Sequence, residues 1–198
     1  MSTPQVNYLN QIITTHLEES IATKQAVLEH LVPEIQKAAT LLCNAIKSGH
    51  KLLVCGNGGS AADSQHFAAE FTCRYDKDRA PLPAISLTTD SSHLTATGND
   101  YGYDYVFERG VNALGKPGDV LVGISTSGNS PNIIKAIQAA KQKGIYTIGL
   151  LGKGGGKMKD IPMDVQIIVP SQITAHIQEA HITIIHILCK LVDEAVRR

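Results

Sequence analysis

The stretch DVLVGISTSGNSPNIIKAIQAAKQKG, residues 119–144, decides the fold of this 198-residue chain. Asp119–Ile124 is a short apolar run that predicts a buried strand, and Ser125–Ser130 is a loop with four hydroxyl groups. Pro131 stands where a helix can begin, the helix is predicted to run to Lys143, and Gly144 ends it. A strand that leads through a polar loop into a helix is typical of a parallel-strand crossover.

Apolar strands and helices alternate on both sides of this stretch. The other predicted strands are Lys51–Cys55, Ala84–Leu87, Ile145–Leu151 and Val165–Val169. Further helices are predicted at Ala61–Cys73, Phe107–Leu114 and Thr174–Val196, and a loop at Gly152–Gly156. This alternation predicts an α/β fold: a five-stranded parallel sheet flanked by helices on both faces, in a three-layer, flavodoxin-like arrangement.

The first 49 residues predict two helices ahead of the sheet. Apolar residues recur at helical spacing in Tyr8–Leu31, and a second helix is predicted from Pro33 to Lys47, where Gly49 stops it. Because a sheet does not need two helices before its first strand, they either pack against another subunit or simply cover this sheet. We predict a single domain over residues 1–198, with 1–49 as a helical oligomerisation segment and 50–198 as the α/β core.

Composition excludes several functions. Eighteen Lys and Arg balance eighteen Asp and Glu, so no basic surplus favours nucleic acid. No run of eighteen apolar residues predicts a membrane span, and the polar N-terminus does not resemble a secretory signal. None of the four cysteines forms a CxxC pair, which favours reduced, buried thiols. We therefore expect a cytoplasmic protein with no nucleic-acid or membrane partner.

Two loops share one design. CGNGGS at 55–60 and STSGNS at 125–130 each leave the carboxyl end of a predicted strand and open a helix. Free N–H groups at a helix N-terminus, together with the hydroxyl groups, suit a phosphate dianion. Neither loop is a nucleotide signature, because Ala61 breaks the GxGxxG pattern and no GxxxxGK[ST] occurs. The pair predicts a phosphate site, against the plainer interpretation of two tight turns.

The helix after the first loop carries His66 and Glu70, four residues apart and therefore on one face. An imidazole and a carboxylate so placed either bind one metal ion or act as an acid–base pair, unless they are only part of a solvated face. Asp63, three residues earlier, is placed to orient the imidazole.

The last helix carries Gln178, Glu179, His181 and His186 within a long aliphatic run. A single histidine on an apolar face is more often a core residue than a ligand. Gln178 and His186 are eight residues apart, about 12 Å along a helix. If both contact one metal ion, either their side chains reach toward each other or they come from different subunits.

The residues from Cys43 to Asp193 resemble the SIS (sugar isomerase) domain family, and within it the phosphoheptose isomerase branch. The motifs that carry the resemblance are CGNGGS at 55–60, QHFAAE at 65–70, GND at 98–100, GISTSGNS at 123–130 and IQEAH at 177–181, with His186 beyond. The resemblance implies conversion of sedoheptulose 7-phosphate to D-glycero-D-manno-heptose 7-phosphate, the first step of ADP- or GDP-heptose synthesis for lipopolysaccharide or capsule.

The resemblance also implies the site. Substrate contacts are assigned to Asn57, Gly58, Gly59, Glu70, Asn99, Asp100, Ser125, Thr126, Ser127, Ser130 and Gln178. Zinc, one ion per subunit, is assigned to His66, Glu70, Gln178 and His186. Glu70 and His186 are the implied acid–base pair, and Arg74 matches an arginine near the substrate. The implied assembly is a homotetramer with active sites at subunit interfaces. One departure is His176, where the family usually has arginine.

Isomerisation through an enediol needs a base near C1 and an acid near the C2 oxygen of the substrate. Our hypothesis is that Glu70 is the base and His186 is the acid. Zinc ligation and proton abstraction by one carboxylate conflict, and the sequence leaves that open. The main alternative function is a non-catalytic SIS-domain protein that binds a replication initiator. Another isomerase or epimerase of the same fold is a further alternative, because its phosphate loop would look the same.

Overall fold

The computed structural model describes residues 4–197 and confirms the five-stranded parallel sheet. Its strands are β1 (Leu52–Gly56), β2 (Ala84–Ser86), β3 (Val120–Ser125), β4 (Tyr146–Leu151) and β5 (Val165–Ile168). Their order across the sheet is β2-β1-β3-β4-β5, and all neighbouring pairs are parallel. The chain leaves β1 toward one edge and returns to β3 on its other side. The carboxyl ends of β1 and β3 therefore form the switch point where open α/β sheets bind ligands.

The helices cover both faces of this sheet, which confirms the three-layer arrangement. They are α1 (Pro4–His30), α2 (Val32–Lys47), α3 (Gly59–Thr72), α4 (Ser91–Tyr101), α5 (Val106–Leu114), α6 (Pro131–Gln142) and α7 (Thr174–Val196). Side chains alternate along β1: Leu52 and Val54 pack with α2, α3 and α7, whereas Leu53 and Cys55 pack with α5 and α6. Each face buries its own apolar core.

The two N-terminal helices differ in how far their apolar side chains are buried. Helix α2 buries Ile35, Ala38 and Leu42 in the core, so it covers the sheet. Helix α1 leaves a row of large apolar side chains in solvent, with Ile21 at 66% and Leu28 at 63% exposure. Of the two interpretations left open by the sequence, covering of this sheet is confirmed for α2, whereas packing of α1 against another subunit stays a prediction. Across residues 4–197, no helix combines the length and apolar content needed to cross a bilayer.

Two segments differ from the sequence-based expectation. Residues 91–101 form α4, which was not predicted because its sequence is polar and has little apolar periodicity. Asp90 caps this helix by accepting a hydrogen bond from the amide of His93. Lys153–Asp160, expected to begin as a loop, forms short helical turns interrupted where Gly154, Gly155 and Gly156 have positive φ.

At the amino ends of β1 and β3, a buried carboxylate fixes the register. Asp119 accepts hydrogen bonds from the amides of Lys51 at 3.0 Å and Lys116 at 2.8 Å, and it pairs with the Lys51 ammonium. Burial alone would raise the pKa of Asp119, but these hydrogen bonds outweigh it and hold the pKa below its usual range. The sheet is therefore anchored at the end opposite to the two glycine- and serine-rich loops.

Candidate active site

The two loops leave adjacent strands, as predicted, and meet at the switch point. In the second loop the hydroxyls of Ser125 and Ser130 lie 3.0 Å apart, and the Gly128 amide donates to Ser125 Oγ at 3.1 Å. Ser130 precedes α6 but makes no side-chain capping hydrogen bond. Its hydroxyl therefore turns into the loop, and the positive end of the α6 dipole faces that loop, although the Ile133 amide donates to Asn132 Oδ1 at 3.0 Å. Thr126 and Ser127 complete the hydroxyl set.

A glycine-rich segment supports the second loop from outside. The Met158 amide donates to the Gly128 carbonyl at 2.9 Å, and the Lys157 amide donates to Asn129 Oδ1 at 2.9 Å. Gly128 has a φ of +64°, and a side chain there would collide with the backbone of Gly155. The loop is thus held in a conformation that only glycine suits at position 128.

An amide pair joins the two loops, and the sequence reasoning missed it. Asn57 and Asn132 exchange two hydrogen bonds, each of 2.9 Å, and Asn132 is buried. The Tyr103 hydroxyl donates to Asn57 Oδ1 at 3.3 Å, which brings the end of α4 over the first loop. Asn99 and Asp100 lie there, exposed and hydrogen-bonded to each other at 2.8 Å. The sequence shows Asn132 directly after Pro131 at the predicted helix start, but it does not show that this asparagine is buried.

Helix α3 holds His66 and Glu70 on the face next to its buried apolar residues, because packing of those residues fixes the rotation of the helix. Phe67 and Phe71 are buried, with ring centroids 5.4 Å apart, and they fix the rotation of the helix against the sheet. His66 Nε2 then lies 3.0 Å from Glu70 Oε1 on the neighbouring stripe. The spacing argument for these two residues is confirmed in geometry.

Helix α7 brings a third group to the same point. His186 Nε2 lies 3.3 Å from His66 Nε2, and the ring of Tyr75 lies 5.8 Å from that of His186. Ligand atoms around a tetrahedral zinc ion are about 3.3 Å apart, so the spacing fits such an ion. A single proton on His66 Nε2 cannot serve both neighbours well, whereas a cation would satisfy all three atoms. The structure thus brings together His66, Glu70 and His186, in one chain.

Gln178 lies elsewhere in this chain. Its side-chain amide packs against Gly59, where a methyl group would collide with Nε2. Helix α7 therefore runs beside α3, with Gln178 next to the first loop and His186 two turns further on. His181, between them, donates from Nε2 to the Leu151 carbonyl at 3.0 Å, and burial lowers its pKa to about 4. Its neutral ring ties α7 to the end of β4.

Asp63 does not orient His66 as expected. Among the described residues no hydrogen bond joins them, and Asp63 Oδ2 is buried without a hydrogen-bond partner. Burial raises the pKa of Asp63, and the nearby His66 opposes this increase only in part. Arg74 lies exposed beyond the end of the helix.

A buried ion pair behind the cluster joins α3 to α7. The Arg79 guanidinium donates to the carbonyls of Glu70 at 2.7 Å and Phe71 at 2.9 Å, which lie at the C-terminal end of α3. Its Nε donates to Asp193 Oδ1 at 2.6 Å, and the Asp193 side chain is 2% exposed. Arg79 thus links the backbone of Glu70 to the helix that carries His186.

Comparison with known proteins gives a consistent result. The sequence model of the SIS domain family matches residues 15–152. A phosphoheptose isomerase of Campylobacter concisus is 52% identical over 96% of this chain and 99% of its own length. The solved phosphoheptose isomerase of Neisseria gonorrhoeae superposes with a TM-score of 0.89 at 48% identity, covering 94% of this chain and 99% of that one. The solved phosphoheptose isomerase of Francisella tularensis superposes with a TM-score of 0.90 at 39% identity, covering 93% of this chain and 97% of that one.

Proposed function

The chain belongs to the SIS domain family and, within it, to the phosphoheptose isomerases, and on this premise we propose that it interconverts sedoheptulose 7-phosphate and D-glycero-D-manno-heptose 7-phosphate. The observation that carries the proposal is the pairing of an anion site at the β1 and β3 loops with the His66, Glu70 and His186 cluster. His66 follows Gly59 by seven residues, about 10 Å along α3. That separation suits a substrate whose phosphate and reacting carbons lie at opposite ends.

The residues divide the reaction between them. The loop at Ser125–Ser130 and the N-terminus of α6 hold the phosphate, so that proton transfer at the far end of the sugar is nearly unimolecular. Glu70 removes the C1 proton of the ketose, and His186 protonates the C2 oxygen to give the enediol. Return of a proton to C2, with loss of the C1 hydroxyl proton, completes the aldose. The exposure of His66 leaves the cluster open to a substrate from solvent.

We assign zinc to this cluster, one ion per subunit, with His66, Glu70 and His186 as ligands and Gln178 as the fourth ligand implied by the resemblance. Zinc bound there would act as a Lewis acid on the substrate carbonyl. The donor set of two imidazoles and a carboxylate suits zinc better than magnesium or calcium. Glu70 would be able to act as base only while it is not a ligand of the ion, so the two roles assigned to it exclude each other at any one moment.

We also assign a homotetramer with interfacial active sites, in the cytoplasm, as part of heptose synthesis for lipopolysaccharide or capsule. The apolar row along α1 supports assembly, because side chains such as Ile13 and Leu17 are more than half exposed in a single chain. Closed symmetric assembly would bury this row against other copies.

The decisive experiment is turnover in deuterated water together with metal analysis of the purified protein. We expect sedoheptulose 7-phosphate to give heptose 7-phosphate that carries deuterium at C2. A protein that only binds, as in the replication-initiator alternative, would form no product and exchange no proton. An isomerase or epimerase for another sugar phosphate would leave sedoheptulose 7-phosphate unchanged but turn over its own substrate. Either result contradicts the proposal.

The Gly59→Ala substitution tests Gln178. Alanine is conformationally acceptable at 59, because its φ is not positive, but the added methyl group displaces the Gln178 amide. We expect KM to rise about tenfold, which corresponds to the loss of one hydrogen bond between Gln178 and the substrate. The melting temperature should change little. In a Gln178→Ala background the substitution should add nothing. Gly110→Ala, where a methyl group meets Leu87 at an ordinary 3.4 Å, is the control. An additive effect would show that Gln178 is not the target.

A further inference from the structure

A second cluster of metal-ligating side chains lies where α1 crosses α7. His16 Nε2 lies 3.4 Å from Glu179 Oε1, and His176 Nδ1 lies 3.6 Å from Glu179 Oε2. The two imidazole rings are 4.5 Å apart. One ligand atom from each of the three residues falls within 4.8 Å of the others. These separations are close to those between the ligands of a tetrahedral zinc ion, about 3.3 Å.

His176 is the member that points to a ligand. Its side chain is 1% exposed, and its Nδ1 is buried without a hydrogen-bond partner. Its Nε2 lies 3.3 Å from Glu19 Oε2. An ionised carboxylate only accepts, so in the neutral imidazole the contact with Glu19 selects the tautomer with the proton on Nε2 and the lone pair on Nδ1. A carboxylate that fixes the tautomer of a histidine in this way is the usual support for a metal ligand.

The surrounding charges leave room for a cation. The Lys24 ammonium lies 3.6 Å from Glu179 Oε2 and donates to Ser20 Oγ at 2.7 Å, and Ser20 donates to the same carboxylate oxygen. Lys24 and Ser20 thus contact Oε2, the oxygen that lies 3.6 Å from His176 Nδ1, whereas Oε1 faces His16 and carries neither contact. With neutral imidazoles, Glu19 and Glu179 exceed Lys24 by one negative charge, so a divalent cation is not repelled by the cluster as a whole. The His16 side chain, 51% exposed, gives an entry path from solvent.

We propose that His16, His176 and Glu179 form a second metal site, separate from the candidate active site, that joins the N-terminal helix to the last helix. Two imidazoles and one carboxylate select a divalent transition metal such as zinc, cobalt or nickel over magnesium or calcium. Glu19 supports His176 from behind, and solvent completes the coordination. Bound metal would hold α1 against the N-terminal part of α7.

The test uses the full-length chain with the first cluster removed by His66→Ala and His186→Ala. After metal depletion, this protein is titrated with Co²⁺, followed by its visible absorption, and with Zn²⁺, followed by metal analysis. We expect one equivalent per chain and a rise in melting temperature on binding. Adding His16→Ala or His176→Ala should abolish both the metal binding and the rise in melting temperature. Glu19→Gln should weaken binding about 10- to 100-fold.

Two further variants keep the test specific. Lys24→Met should tighten binding, because it removes the cation that competes for Glu179. His30→Ala is the matched control, since His30 lies on the same helix, 4.0 Å from Glu29, and belongs to neither metal-ligating cluster found among residues 4–197, and it should change nothing. If the His176→Ala protein does not fold, His16→Ala and Glu19→Gln, at exposed positions, carry the test. Absence of binding in the first-cluster variant, or equal binding with His16→Ala, overturns the proposal.

Discussion

Replacing Glu70 by glutamine should lower kcat by about 10²- to 10⁴-fold, the usual contribution of a general base, while KM stays near that of the unmodified enzyme. The amide has the shape of the carboxylate and retains an oxygen near His66, but it cannot accept the C1 proton. The buried aromatic pair that orients α3 is untouched. Turnover of sedoheptulose 7-phosphate, measured with the metal content of each preparation, checks the prediction.

Glu194→Gln is the control for this experiment, because Glu194 is a carboxylate on α7 that lies eight residues beyond His186 and pairs with Arg197 at 3.9 Å. It should leave kcat unchanged. In deuterated water the Glu70→Gln enzyme should also fail to label C2. Normal turnover, or normal labelling with slow product formation, would show that another group removes the proton. Asp63, a partly buried residue of the same helix whose Oδ2 is buried without a hydrogen-bond partner, would then be the first residue to consider.

The parts of the site that local rules determine were predictable from the sequence. Apolar runs ending in glycine and serine loops predicted β1, β3 and the switch point between them, and the i, i+4 rule placed His66 beside Glu70. Helix α4 was missed because capping by Asp90, rather than apolar periodicity, defines its start. Strand patterning, loop composition and the i, i+4 rule were sufficient for these parts of the site because they do not depend on how distant segments pack.

The groups that join distant segments were not predictable from the residues alone. The Asn57–Asn132 pair spans 75 positions, and the contact of His186 with His66 spans 120. Such contacts depend on the crossing of α3 and α7 over the sheet, which no local pattern encodes. For His186 the family resemblance supplied the expectation, and the geometry agrees with it. For Gln178 the same resemblance predicted a metal ligand, whereas in this chain its amide lies against Gly59, and its role as a ligand stays a prediction.

Asp193→Asn should cause the largest loss of stability among the substitutions considered, about 3–5 kcal/mol in the free energy of unfolding. The change keeps the shape of the side chain but leaves the Arg79 guanidinium, 6% exposed, without its counter-charge. Urea denaturation of the two proteins measures the difference. The control is Lys190→Met, because Lys190 and Asp76 form an exposed pair at 3.5 Å between the same two segments, worth less than about 1 kcal/mol.

The same substitution separates a structural role from a positioning role. Because Arg79 holds the carbonyl of Glu70 and Asp193 lies two turns beyond His186 on α7, loosening the pair should misalign Glu70 with His186. We therefore expect kcat of the folded protein to fall at a temperature far below unfolding, with KM for the phosphate-anchored substrate less affected. A purely structural pair would lower the midpoint of denaturation and leave kcat intact, which would contradict positioning. Arg79→Lys should also lower kcat. Lysine keeps the positive charge, but it cannot reach Asp193 and both carbonyls at once.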